Sequence, residues 1–505
     1  MEGHIATQSR MDMLIYGYKI LLKNPNVIAA FVLTESISVI VQIILITSIL
    51  SVLSYYKAFN IIPYIIEELK KGNINVLFEP IVLNPIHVMV TIIVPVTLIV
   101  ISLISAFIYS GLYPFLDVTL RRGSSTLHEL FLNAFQKWKK TAKIYLAMYL
   151  LIVAPLVPGI IVLGLVLNGI LPLEILRMGL GFLILGACSM ALIYLSLLFM
   201  PIAAILEDKG VLESIRESLI LVKRGLKDVV IYVLLLVLIF TITSTILLVS
   251  KYFSITLNSI ISTVFMLILN PVLTLYLISI YEVLNNRKVL LPIESNISLL
   301  FRFLRQINKL LKVSINAFLK RNTVLYILLS LVLFIMGYAY GGYLVSEDVK
   351  ELIVKSGIIT PGRVNPEFMA YNRLFLSLDI FFHNWKAVLG SSIAGFAYAI
   401  PPIVSLIFNG LIIGSVTAII GLRPSIELFL TTMPHGLIEI PAFIVVCTFG
   451  IKLGLTVYNY TRGKANLNDV VNAYKELLGI LLLSTILFLI AGIIEANITP
   501  LLITT

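Results

Sequence analysis

Of 505 residues, 59% are hydrophobic and only 12% charged, about half the charge of an ordinary soluble domain. Too few charged groups remain to coat a water-soluble particle of this size, which excludes a soluble enzyme, a fibrous protein and a disordered chain. The formal charge of +11 is carried between apolar runs, where basic residues set topology and meet anionic lipid, so membrane lipids rather than nucleic acid are the expected contacts.

The fold class that follows is all-α: a polytopic integral membrane protein, placed in the cell membrane. The polar start, MEGHIATQSRMDMLIYGYK, is unlike a cleavable leader, so the first apolar run, 27–54, is expected to stay as an anchor. It carries Glu35 and Gln42 on one helical face. A lone carboxylate there either bonds a neighbouring helix or carries substrate. Further runs lie at 86–112, 144–169, 178–205, 229–250, 258–284, 324–345 and 477–500. The stretch 385–457 is apolar with Arg423 as its interior break. Three crossings fit it, at 386–402, 403–421 and 426–456, with Pro401-Pro402 marking the first turn. The alternative is one long helix plus a re-entrant segment. The total is about eleven crossings.

Orientation follows from Lys and Arg. Segments 1–26, 121–143, 207–228, 285–323 and 457–476 hold 25 of them, and the alternate segments 11. That bias places the N-terminus inside and the C-terminus outside. Three inner segments are basic and amphipathic, marked by Leu127, Leu130, Phe131, Ala134 and Trp138, by Leu212 to Leu226, and by Ile297 to Leu311. They are elbow helices leading into the next crossing, or docking faces for lipid or a cytosolic partner. Apolar residues, then basic ones, then a span recur at the first three elbows, so 1–290 divides into three hairpins, a six-helix domain. The segment 291–323 is a basic linker, and 324–505 a five-helix domain. The outer segment 346–384 is apolar near its end, with Phe368, Met369, Leu374, Phe375, Leu378, Phe381 and Phe382. It is expected to cap the outer surface, where an envelope partner could meet it.

Two resemblances refine the halves. The run MPIAAILEDKGVLESIRESLILVKRGLKDVVIY, from Met200 to Tyr232, loosely resembles the six-helix membrane domain associated with some glycerophosphodiester phosphodiesterases, although no phosphodiesterase domain accompanies it. In the C-terminal half the ordered series is Asn384, Asn409-Gly410 with Gly414, Pro434-His435-Gly436, Glu439-Ile440-Pro441-Ala442, Gly450, and Glu495-Ala496 with Thr499-Pro500. That series resembles the stage II sporulation protein M family of five-crossing membrane proteins. His383-Asn384 departs from it, where two asparagines are expected. The resemblance implies membrane remodelling or envelope assembly by analogy, relatives also occurring in organisms that do not sporulate.

His435 and Glu439 are four residues apart and share one helical face. On a helix starting near 426, His435 lies roughly 13 Å deep, where an unpaired ionisable group costs at least about 2.5 kcal/mol. Pro434 and Pro441 bracket the pair, and interrupted helices line polar cavities in transporters. Three readings stay open: a hydrogen bond that locks helices, with Asn409 or Glu495 as further partners; a proton or cation path; and lipid or partner binding at the same spot. A catalytic metal is not expected, since zinc hydrolases use three protein ligands and an open position. Cys188 and Cys447 form no CxxC pair, and no HExxH, paired-Asp protease or GxSxG pattern is present. Neither an enzyme nor a cofactor is expected. The pairs Gly337/Gly341, Gly410/Gly414 and Gly450/Gly454 permit close helix contact, inside one chain or across a homodimer. The leading function is a non-enzymatic scaffold for membrane remodelling or envelope assembly. The alternative is a transporter or channel.

Overall fold

The computed structural model describes residues 10–55, 68, 71–73, 92–167, 170–253, 255–287, 296–345, 372–420 and 433–499. All regular structure among these residues is helical, with no strand. The N-terminal half runs α1 (Arg10–Lys23), α2 (Asn26–Val32), α3 (Glu35–Tyr55), α4 (Val94–Arg122), α5 (Leu127–Val153), α6 (Val157–Leu167), α7 (Leu176–Ser196), α8 (Met200–Leu206), α9 (Val211–Arg224), α10 (Leu226–Tyr252), α11 (Asn258–Val264) and α12 (Asn270–Leu284). The C-terminal half follows as α13 (Asn296–Phe318), α14 (Arg321–Leu344), α15 (Arg373–Ile393), α16 (Ile400–Ile420), α17 (Gly436–Thr461) and α18 (Leu467–Asn497). Among the described residues, ten helical stretches are long and apolar enough to cross a membrane.

Local chemistry sets the breaks. Thr126 and Glu129 form a reciprocal capping box at the start of α5. Pro155 interrupts α5 before α6. A π-helical turn, Phe265–Leu269, precedes Pro271, whose ring conflicts with the carbonyl one turn earlier. The basic elbow residues are used as caps: Lys137 Nζ donates to the Ile205 carbonyl at 3.1 Å, and Lys140 Nζ lies 2.8 Å from Asp208 Oδ1. Hydrogen bonding to Lys140 holds the Asp208 carboxyl below the usual carboxylate range. Nearby, the buried Glu282 meets Arg121 at 2.6 Å and Arg287 at 3.2 Å. Glu207 meets Lys209 at 2.6 Å and Arg287 at 3.1 Å.

The apolar face of the first elbow turns into protein. Leu127, Leu130, Phe131 and Ala134 are buried, and the Phe131 ring meets Tyr474 of α18 edge-on at 5.3 Å. Tyr474 in turn donates to the Ala29 carbonyl at 2.5 Å. Helix α13, in the segment expected to be a linker, sets Ser314 against α18, its hydroxyl donating to the Glu476 carbonyl at 2.8 Å. One contiguous buried core therefore runs through both halves.

The crossing expected at 386–402 takes a different form. Its first residues are the last third of α15. Its remainder is a turn, Ala394–Ala399, with Tyr398 and Ala399 at φ of 55° and 66°. Pro401 and Pro402 lie in the first turn of α16, where a missing backbone donor costs nothing. Leu374, Phe375, Leu378, Phe381 and Phe382 thus belong to a bundle helix rather than to a surface cap. Phe368 and Met369 lie outside the described residues. Arg373, Asp379 and Lys386 depress the hydropathy of α15, which hid its length from a search for apolar runs. The helix starting near 426 is displaced as well: α17 begins at Gly436, and 421–432 lie outside the described residues.

The six glycines are used inside the chain. A Cβ on Gly337 or Gly341 would strike the Ile407 or Leu411 backbone of α16, and one on Gly410 or Gly414 the Phe334 or Tyr338 backbone of α14. Gly450 and Gly454 face Ser392, Gly395 and Ala399. The pattern that suggested a homodimer is thus accounted for by packing within one subunit. Gly341→Ala and Gly414→Ala should each lower stability by about 1–3 kcal/mol, because backbone cannot yield to an added methyl. Gly181, with nothing near its Cβ direction, should accept alanine without loss. Thermal unfolding of the three variants in one detergent tests this contrast.

Candidate functional site

Helix α15 positions the site. It runs parallel to α17, from Asn384 beside Glu439 to Ser392 beside Gly450. It runs antiparallel to α18, with Arg373 donating to the Ala496 carbonyl and Trp385 Nε1 donating to Thr485 Oγ1 at 3.1 Å. Its other polar side chains reach further neighbours. Asp379 Oδ1 accepts from the Ser259 N–H that starts α11 at 2.7 Å. Lys386 Nζ lies 3.7 Å from Glu35 Oε2 of α3. Asn384 stands beside Glu439 of α17 in the lining of one cavity. Each directional contact fixes the rotation of the helix that carries it.

At one end of the bundle three groups converge. His435 immediately precedes α17, Glu439 lies in its first turn, and Glu495 lies in the last turn of α18. Their ligand atoms all lie within 4.8 Å of one another. His435 Nε2 is 3.9 Å from Glu495 Oε2, and Nδ1 is 3.2 Å from Thr499 Oγ1. The approach of His435 to Glu439 that the four-residue spacing suggests is therefore completed by a third group 56 residues further on. The cluster lies at helix termini, where α17 starts and α18 ends, rather than midway along a helix begun near 426.

A cavity of about 350 Å³ opens beside Glu439. Gln42, Asn384, Ser391, Ser405 and Asn409 line it together with apolar side chains. The Asn409 amide donates to the Ser405 carbonyl at 2.8 Å. Glu35 is absent from this lining, its carboxylate being turned to Lys386 instead. A second cavity, of about 440 Å³, is walled by Ile28, Leu267, Leu310, Phe382, Trp385 and Leu478 among others and is almost wholly apolar.

One embedded ion pair escaped the sequence reading. Lys452 of α17 lies 2.5 Å from Glu476 of α18, with Lys320 at 3.6 Å from the same carboxylate. A signal was present: of 37 basic residues, Lys452 alone falls in neither the inner nor the outer set of segments. A cation inside an apolar run needs an anion on a neighbouring helix.

Residues 330–500 match the model of the stage II sporulation protein M family. Two relatives come from Methanocaldococcus jannaschii. Uncharacterized protein MJ0706 is 33% identical over 125 residues, 24% of this chain and 57% of that protein. Uncharacterized protein MJ0793 is 29% identical over 124 residues, 24% of this chain and 70% of that protein. The chain thus spans little more than half of the first relative's length and about two thirds of the second's. No solved structure matches. The match covers the C-terminal helices that carry His435, Glu439 and Glu495. The resemblance of the N-terminal half to a phosphodiesterase-associated domain finds no support in these matches. Neither the family nor the two relatives gives a sign of enzymatic activity.

Glu476 is buried, so removing either member of its pair strands the other. Glu476→Leu should cost about 3–5 kcal/mol of stability. Adding Lys452→Met should recover much of that loss, since the exposed Lys320 can turn to water. A double-mutant cycle in chemical denaturant measures the recovery, and strictly additive losses would contradict the pairing.

Proposed function

We propose that this membrane protein is a non-enzymatic scaffold of the cell membrane that supports membrane remodelling or envelope assembly. One observation carries the reading: each charged side chain of α15 with a resolved contact meets a group on a different neighbouring helix. A framework held this way keeps its helices in fixed register, as a platform for other proteins requires. The family match over 330–500 supports the same direction. The N-terminus and the 285–323 segment face the cytoplasm in this reading, and the partner is an envelope or cytosolic protein. The 291–323 segment joins a six-helix unit to a five-helix unit across one shared core.

A transport reading is favoured by the polar cavity that reaches Glu439. The two separate on measurement. In the scaffold, His435→Ala and Glu439→Ala each lower thermal stability, by about 1–3 kcal/mol where a neutral group is left unpaired, and the double variant loses less than the sum. In the transporter, stability stays level while proton-coupled flux into liposomes disappears. Flux by the wild-type chain that is lost in these variants at unchanged stability overturns the scaffold.

The orientation has its own test. Lys312→Cys should react with an impermeant maleimide only after the cells are opened. Labelling of intact cells reverses the topology.

A further inference from the structure

We propose that His435, Glu439 and Glu495 form a binding site for a divalent first-row transition-metal ion, with Zn²⁺ as the probe. Among the described residues, this is the one group of three His, Cys, Asp or Glu side chains placed to share an ion. The proposal reaches beyond the scaffold reading and does not depend on it.

The hydrogen bonds around His435 accommodate the tautomer that a metal ligand requires. The Thr499 hydroxyl donates to the Ile494 carbonyl at 3.4 Å, which leaves its oxygen to accept from Nδ1–H of His435 at 3.2 Å. Nε2 then carries a lone pair, and it faces Glu495 Oε2 at 3.9 Å. Two acceptors are turned toward each other at a separation too long for a hydrogen bond. Glu439 brings a second carboxylate to the same point. A cation between them satisfies all three.

The distances fit. Ligand atoms on one tetrahedral zinc, with bonds of about 2.1 Å, stand roughly 3.4 Å apart. The ligand atoms of this cluster stand no more than 4.8 Å apart, so closing the cluster takes at most about 1.4 Å, shared between two side chains. An outer contact matches that of a metal-bound imidazole: Thr499 meets His435 Nδ1 at 3.2 Å and orients the ring. Imidazole with two carboxylates suits zinc or manganese, whereas calcium takes oxygen ligands alone. Of the three ligands, Glu439 also lines the cavity of about 350 Å³. Because one ligand lies on α18, the ion would tie the start of α17 to the end of α18.

The test uses the full chain in nanodiscs, stripped with chelator and titrated with Zn²⁺ by calorimetry and thermal unfolding. The expected result is one Zn²⁺ per chain, a raised Tm, and nitrogen and oxygen neighbours in the zinc X-ray absorption spectrum. Ca²⁺ should produce neither binding nor a shift in Tm. Glu495→Gln and Glu439→Gln keep the shape of the site and should weaken binding at least about tenfold, and Thr499→Val should weaken it about tenfold through the imidazole's orientation. Glu35→Gln should bind as the native chain does. Absence of stoichiometric Zn²⁺ in the native chain overturns the proposal, as does equal response to Ca²⁺. Binding that survives both glutamine variants overturns it as well.

Discussion

A polar side chain inside a bilayer has no water to fall back on, and that constraint organises this molecule. Helix α15 lies outside the ten apolar stretches and meets them through polar side chains. Over 21 residues it presents Arg373, Asp379, Trp385, Lys386 and Ser392, and each contacts a different site on its neighbours. Apolar packing alone cannot fix helix rotation in lipid, because lipid tails are as apolar as leucine. Directional contacts to α3, α11, α17 and α18 do fix it.

Close backbone approach supplies the second element. The α14–α16 pair meets through glycines on both sides, so the two helices touch along their backbones, and Tyr338 and Thr417 are joined at 3.1 Å beside them. Gly454 makes room for the turn at Tyr398 and Ala399. Left-handed residues other than glycine cost roughly 1–3 kcal/mol each. Such a turn persists only when its surroundings leave no other path, and here α17 packs directly against it.

The helical membrane class was legible because apolar runs of about 20 residues have no other stable form. Individual boundaries were less so. A hydropathy window averages charge along the sequence, whereas lipid senses charge only after pairing in space. Arg373, Asp379 and Lys386 made α15 look like a surface segment, although protein groups meet all three. The glycine spacing was visible, but its use within one chain was not, since nothing local distinguishes a partner helix in the same chain from one in another. His435 and Glu439 stood out by spacing, while the nearness of Glu495 depends on α18 returning beside α17.

The two ends of the α17–α18 hairpin differ in charge balance. Where α18 begins, the Glu476 carboxylate faces Lys452 and Lys320, so anion and cation are held in the same place. Where α18 ends, the Glu439 and Glu495 carboxyls face the His435 imidazole, which also meets the Thr499 hydroxyl, and among the described residues no side chain of the Lys or Arg kind stands with them. The first end is closed by the chain's own ammonium groups and holds its geometry under any ionic conditions that spare the fold. The second end is the site proposed above for a metal ion, so there it is a cation from outside the chain that would join the start of α17 to the end of α18. The same hairpin thus pairs a closure made by its own side chains with one that the proposal assigns to a bound ion.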